Sequence, residues 1–129
     1  MHEIFIETED QRAILDTVRR FVEDEVTPRA AELDAKEDPE DGFSWEIVEK
    51  AHEVGIRTMT LSEEYGGLGT DSLTTSMVIE ELGKGDLGIS VIFAQTLKIA
   101  QIMQKALNEE QQTRILPGFA EDPRGMLAI

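Results

Sequence analysis

Glu63-Glu64-Tyr65-Gly66-Gly67-Leu68-Gly69 sets three glycines and an aromatic ring between two long helical patterns, and Thr70-Asp71-Ser72 opens a new helix directly behind it. Such a stretch imposes a tight, shaped turn, in which Gly67 is expected to take the left-handed backbone (φ > 0) that glycine tolerates. The rest of the chain must then fold as helices joined by compact loops. Gly66-Gly67-Leu68-Gly69 lacks the G-x-G-x-x-G spacing behind a strand and lacks a Lys-Ser/Thr continuation, so neither a dinucleotide fingerprint nor a P-loop is present.

The helical pattern begins early. After the apolar lead-in Ile4-Phe5-Ile6, Thr8 and Gln11 have the form of a capping box. Ile14, Leu15, Val18, Phe21, Val22 and Val26 recur at three- and four-residue spacing, one buried stripe, and Pro28 predicts a kink or restart before Ala30, Ala31 and Leu33. Lys36 to Gly42 is a loop. Ser44 caps a short helix with Trp45, Ile47, Val48 and Ala51 on one side, stopping near Gly55 as a left-handed cap. Ile56 to Leu61 has no helical period and is expected as an extended connection under the glycine-rich loop. A third helix carries Leu73, Met77, Val78 and Leu82 and ends at Gly83 and Gly85; Asp86 starts a fourth, apolar on more than one face. Asn108 and Gln111 repeat the capping signal for a last helix reaching about Leu116, with Pro117-Gly118 and Asp122-Pro123-Arg124-Gly125 as turns. Met126-Leu127-Ala128-Ile129 reads as the start of a strand. No internal repeat interrupts this order. The expected architecture is all-α: residues 1–129 as one helical domain, a compact bundle of about five helices.

A chain of 129 residues is long enough for a real core, and with no cysteine it has neither disulfides nor thiol chemistry, which leaves cytoplasm as the expected compartment. The formal charge of −15 is uneven: residues 1–54 carry 17 acidic against 6 basic side chains, residues 55–129 carry 10 against 6. That field repels phosphate backbones, and no basic stripe offsets it, so nucleic-acid binding is excluded. No leader and no uninterrupted apolar run of spanning length is expected to place the chain in a membrane. Glu63-Glu64, Glu80-Glu81 and Glu109-Glu110 are adjacent pairs pointing about 100° apart on a helix, which suits solvated faces better than one acid/base site. His2, at the terminus, and His52 lie far apart in sequence. Both are expected at the surface, with no metal site.

Several segments taken together carry a resemblance. They are Thr8 to Gln11 before a long helix ending Val26-Thr27-Pro28-Arg29-Ala30-Ala31-Glu32-Leu33-Asp34; Ala51-His52-Glu53-Val54-Gly55-Ile56; Glu63 to Gly69; Val78-Ile79-Glu80-Glu81-Leu82-Gly83-Lys84-Gly85-Asp86; and Asn108-Glu109-Glu110-Gln111-Gln112 followed by Ile115-Leu116-Pro117. In this order and at these separations the chain resembles the N-terminal helical domain of the acyl-CoA dehydrogenase family. Ser62 stands where the family usually has proline, and Leu107 where it commonly has glycine, both local turn changes.

The resemblance implies a part of an FAD-dependent enzyme of fatty acid metabolism that desaturates an acyl-CoA thioester, with an electron-transfer acceptor as partner and a homotetramer as its usual assembly. By the family pattern the flavin-binding β-domain and C-terminal helical domain lie outside this chain, and so do the catalytic glutamate and most of the flavin contacts. The N-terminal domain supplies an apolar wall of the acyl pocket and interfaces to the other domains. It implies Val91, Ile92, Gln95, Thr96 and Ile99 as acyl-chain contacts and Tyr65 as an inter-domain contact, with no catalytic, cofactor or metal residue in this chain. Plain bundle core accounts equally for the aliphatic members, a hydrogen bond to a neighbouring helix for Gln95 and Thr96, and an exposed turn for Tyr65. Two alternatives remain: a non-catalytic helical interaction module or subunit derived from the domain, and a related flavin oxidase or monooxygenase.

Overall fold

The computed structural model describes residues 2–129, with side chains from Ile4 onward, so the His2 side chain lies outside the described residues. Helix α1 (Glu9–Phe21) passes through a π-helical turn (Val22–Val26) into α2 (Thr27–Asp34); α3 (Trp45–Glu53), α4 (Ser72–Gly85), α5 (Leu87–Ala106) and α6 (Glu109–Glu121) follow. Counting α1 and α2 as one bent rod, five helical rods form the bundle, and no strand occurs among the described residues. The bend has a local cause. Pro28 has no N–H to give to the carbonyl four residues back, and its ring crowds that carbonyl. The turn before it widens, and the Thr27 amide bonds to Val22 O instead.

Both capping boxes form. Thr8 Oγ1 accepts from the Gln11 amide at 3.1 Å and Gln11 Oε1 accepts from the Thr8 amide at 3.0 Å; Asn108 and Gln111 repeat the exchange at 2.9 and 3.0 Å. Gly55 ends α3 at φ 81°, with the Ile56 amide bonded to Ala51 O and the Gly55 amide to His52 O, a Schellman cap.

The core joins Leu15, Val18, Phe21 and Val26 to Ile47, Val48 and Ala51 of α3, Met77, Val78 and Leu82 of α4 and Ile89, Phe93 and Leu97 of α5. A second cluster of Leu61, Ala100 and Leu116 takes in Tyr65, Met103, Phe119 and Leu127. The end of α4 lies close on the π-turn: a Cβ on Gly85 would sit 2.7 Å from Val22 Cγ1. Gly83 is inside α4 rather than at its end. Glu81 is buried rather than solvated, bonded to Arg19 at 3.1 Å and Lys84 at 2.9 Å. Burial pushes its carboxyl up, but those two cations outweigh it and hold the group below the usual carboxylate range.

Four further differences from the sequence reading have tertiary causes. Trp45 is half exposed, meeting Phe43 edge-on at 4.9 Å with the Arg124 guanidinium over its ring. Helix α6 runs on through Pro117 to Glu121, because Arg57 binds the Phe119 and Ala120 carbonyls and holds the last turn. The tail forms no strand; the Leu127 amide donates to the Thr96 hydroxyl instead. Helix α5 has the length and mean hydropathy of a membrane span, yet it carries Lys98 and Lys105 and buries Phe93, Leu97 and Ala100 in the bundle.

Ile56–Leu61 is a chain of buried turns stitched by side chains. Thr60 Oγ1 donates to Leu97 O, Gln104 Nε2 donates to Thr60 O at 2.8 Å, and the Ser62 amide donates to Gln104 Oε1 at 2.7 Å. The glycine-rich loop folds back on this segment: the amides of Leu68 and Thr70 bond to Met59 O and that of Gly69 to Leu61 O. Gly66 and Gly69 have positive φ, and Gly67 does not. Gly67 is required for proximity, since a Cβ there would lie 2.0 Å from Leu61 O and 2.6 Å from Thr58 O.

Gly67→Ala is therefore expected to lower the unfolding free energy by about 2 kcal/mol or more through backbone displacement. Gly66→Ala, at φ 83° but facing open space, is expected to lose about 1 kcal/mol. Urea unfolding of the two variants tests the ordering, and a Gly67→Ala protein as stable as Gly66→Ala contradicts it.

Candidate functional site

Asp86 starts α5 by accepting the Ile89 amide at 2.8 Å, and Ser90 Oγ donates to Ile79 O across the α4–α5 turn. These bonds fix the rotation of a 20-residue helix whose composition alone leaves its buried face undecided. Ser90, Phe93, Leu97 and Ala100 go inward. Leu87 (74% exposed), Val91 (51%) and Ile102 (48%) remain outside, with the exposed Lys98 between the last two.

The five α5 residues singled out by the resemblance divide along this line. Val91 faces out. Ile92 is half-buried at the edge of a cleft of about 470 Å³ lined also by Leu33, Pro39, Phe43, Leu87 and Ile89. Gln95 is half-buried, and its Oε1 is shielded from solvent without a hydrogen-bond partner. Thr96 is fully buried: its hydroxyl lies 3.1 Å from the Leu127 amide, which donates to it, and 3.3 Å from the Leu127 carbonyl, to which it donates. Ile99 is buried. Val91, Ile92 and Gln95 thus form one accessible strip, while Thr96 anchors the tail and Ile99 is covered by the bundle.

An unpaired buried acceptor costs about 1–3 kcal/mol relative to a satisfied one. Gln95 is therefore the polar group on this face with an unmet requirement, which a water, a ligand donor or another protein surface can supply. Val91 and Ile92 beside it are aliphatic, so the strip can guide an extended hydrocarbon, and none of the three residues is an acid, base or nucleophile.

Tyr65 is half-buried in the 3₁₀ turn Glu63–Tyr65, packed on the Leu61–Leu116 cluster and lining a cleft with His52, Pro117 and Ala120. The loop beyond it offers no phosphate cradle. Its Gly66, Gly67, Leu68, Gly69 and Thr70 amides all donate to backbone carbonyls within residues 59–63, leaving none aimed outward for an anion. No cluster of metal-ligating side chains occurs among the described residues.

Sequence reasoning missed Leu87, Lys98 and Ile102 on the outer face of α5, although their spacing from Val91 follows the helical period. It also missed Arg57. An arginine inside an apolar, threonine-rich segment was the available signal. His52, expected at the surface, is half-buried against it, with Arg57 Nε 3.3 Å from His52 Nδ1.

The geometry defines a helical domain with one apolar, partly open helix face. The family model described as "Acyl-CoA dehydrogenase, N-terminal domain" matches residues 8–122. The chain belongs to the acyl-CoA dehydrogenase family, as its N-terminal domain. It is 33% identical over 116 residues to a probable medium-chain specific acyl-CoA dehydrogenase of Caenorhabditis briggsae, covering 89% of this chain and 27% of the relative. The short-chain specific acyl-CoA dehydrogenase of Clostridium acetobutylicum is 35% identical over 116 residues, 88% of this chain and 29% of the relative. Among solved structures, butyryl-CoA dehydrogenase from Megasphaera elsdenii superposes with a TM-score of 0.74 at 25% identity, covering 90% of this chain and 30% of that one. A chain in the electron-transferring flavoprotein structure from Acidaminococcus fermentans gives 0.77 at 30% identity, with 94% and 30% covered. The chain spans less than a third of the length of these relatives.

Val91→Asp is expected to change the unfolding free energy by no more than about 0.5 kcal/mol, as at other open positions. Ile99→Asp, a buried charge, is expected to remove about 3 kcal/mol or more. Thermal unfolding of both variants measures the difference; equal losses would place Val91 in the core.

Proposed function

We propose that this domain supplies the dry helical wall of the acyl pocket in an FAD-dependent acyl-CoA dehydrogenase, with Val91, Ile92 and Gln95 touching the acyl chain and the buried Thr96 and Ile99 beside them on the same helix. The observation that carries the reading is the open aliphatic strip on α5, a helix otherwise locked into the bundle, in a chain whose relatives are acyl-CoA dehydrogenases three to four times as long. Oxidising a saturated carbon–carbon bond next to a thioester needs a base, a hydride acceptor and a site stripped of water. This chain's contribution is the last of these. FAD supplies the hydride-accepting chemistry in the complete protein.

Within this reading Tyr65 and the other exposed residues of α5, Leu87, Lys98 and Ile102, lie against neighbouring domains. An electron-transfer flavoprotein is the acceptor in keeping with the family, and the complete enzyme assembles as a homo-oligomer. Chain termination at Ile129 in the host would instead favour a subunit or interaction module.

The test is the gene product purified from its host, assayed with acyl-CoA thioesters of graded length and an artificial electron acceptor. The expected result is a flavin-coloured protein that oxidises acyl-CoA. Val91→Phe, by narrowing the pocket, is expected to reduce kcat/KM for the longest accepted chain about tenfold or more while sparing shorter ones. A colourless, inactive 129-residue product rejects the enzyme reading, and an unchanged chain-length profile rejects Val91 as wall.

A further inference from the structure

Arg57 and His52 form a pair remote from the α5 strip, with the guanidinium on one side of the imidazole and a cleft lined by carboxylates beside it. Arg57 is completely enclosed. Its Nη2 donates to the carbonyls of Phe119 (2.8 Å) and Ala120 (2.9 Å), its Nη1 donates to Gly125 O (2.9 Å), and its guanidinium lies over the Phe119 ring at 4.6 Å. The side that remains is turned to His52, whose Nδ1 lies 3.3 Å from Nε and 3.1 Å from Nη2. One arginine thus fastens the end of α6 and the turn after it to the buried segment below.

A guanidinium has only donors, so His52 Nδ1 must accept, which requires a neutral ring with its proton on Nε2. Protonation makes Nδ1 a donor facing donors and sets a second positive charge at hydrogen-bond distance from the first. His52 also borders a cleft of about 440 Å³ lined by Glu53, Glu64, Glu121 and Tyr65. The charged and titratable groups around the imidazole are therefore Glu53 on its own helix, Arg57 from the buried segment, Glu64 and Tyr65 from the glycine-rich turn, and Glu121 and Asp122 at the end of α6. A neutral ring suits the arginine. A charged ring suits the carboxylates.

We infer that His52 is a pH-operated latch on the C-terminal segment: neutral, it completes the Arg57 clamp over residues 119–125, and protonated, it turns into the carboxylate-lined cleft and loosens that segment. The electrostatics agree in sign. Burial first and Arg57 second hold the imidazole below its ordinary value of 6.5, with Asp122 and Glu53 opposing. The clamped state thus binds the proton less readily than the opened one, so clamping is complete above an ordinary imidazole pKa of about 6.5 and weakens as pH falls below it. What loosens is the route from α6 to Met126 and Leu127, the tail that Thr96 ties to α5.

Native-state hydrogen exchange of the 129-residue protein tests this at about pH 7.5 and about pH 5.5, corrected for intrinsic exchange. The amides of Asp122, Gly125 and Leu127, bonded to Gly118 O, Asp122 O and Thr96 Oγ1, are expected to lose up to about tenfold in protection, the most that one imidazole of ordinary pKa in the opened state contributes over that interval. Those of α1 and α4 are expected to hold. His52→Asn keeps an acceptor near the Nδ1 position without titrating, and its protection is expected to be flat over the same range. Should that variant be too unstable to compare, an NMR titration of the unmodified protein serves, in which the Gly125 amide is expected to follow the His52 ring with a shared midpoint below the ordinary value. Flat protection in the unmodified protein, equal losses in α1 and α4, a His52→Asn protein that titrates alike, or a His52 midpoint at or above the ordinary value would each overturn the latch.

Discussion

Burying an arginine in a helical bundle costs several kcal/mol unless its donors are met, and the arrangement of this protein's C-terminal half follows from how they are met. Arg57 forms no ion pair among the described residues, and the Asp122 carboxylate acts on it only through space. Three backbone carbonyls from the end of α6 and the turn beyond, an imidazole nitrogen and an aromatic face surround it. The carbonyls at a helix C-terminus lack intrahelical partners and carry the negative end of the helix dipole, so each side satisfies the other. Helix α6 consequently continues past its proline, and the chain behind it is brought back across the bundle to α5.

The same economy of polar groups governs the segment that carries Arg57. Residues 56–61 are buried without belonging to a helix, a placement that leaves backbone donors and acceptors exposed to an apolar interior unless something pairs with them. Threonines 60 and 70, Gln104 and the amides of the glycine-rich loop do the pairing. The glycines matter because the loop must lie almost in contact with the backbone of Leu61, where even a methyl group would collide. A shaped loop, a buried crossing and an arginine clamp are thus one structure seen from three sides, and α5 is seated on it through Thr60 and Gln104. The open strip of α5 owes its position to this seating.

Much of this was legible in the residues. Both capping boxes, the Gly55 cap, the break at Pro28 and the Asp86 start are short-range signals whose chemistry lies within four or five residues, and each formed where its sequence pattern predicts. The end of α6 was misjudged at Leu116 because proline is read locally as a terminator, whereas the groups that sustain the helix come from residue 57. Gly67 was assigned the right importance for the wrong reason: the sequence marks it as special without distinguishing a positive φ from a close approach. Glu81 looked like a surface carboxylate, and its partner Arg19 lies 62 positions away. The wall residues show the same limit, since the helical period places Val91, Gln95 and Ile99 on related faces but does not say which face the bundle covers.

By itself, then, the sequence determined the helices, their starts, the bend and the family, because these depend on local hydrogen bonding, backbone sterics and the order of motifs along the chain. Only the tertiary structure decided that Thr96 holds the tail while Val91 stays open, that Gln95 keeps an unpaired oxygen, and that Arg57 and His52 meet beneath the end of α6. Those outcomes depend on which polar groups are brought within hydrogen-bond distance after water is expelled, and that is set by the packing of helices far apart in sequence.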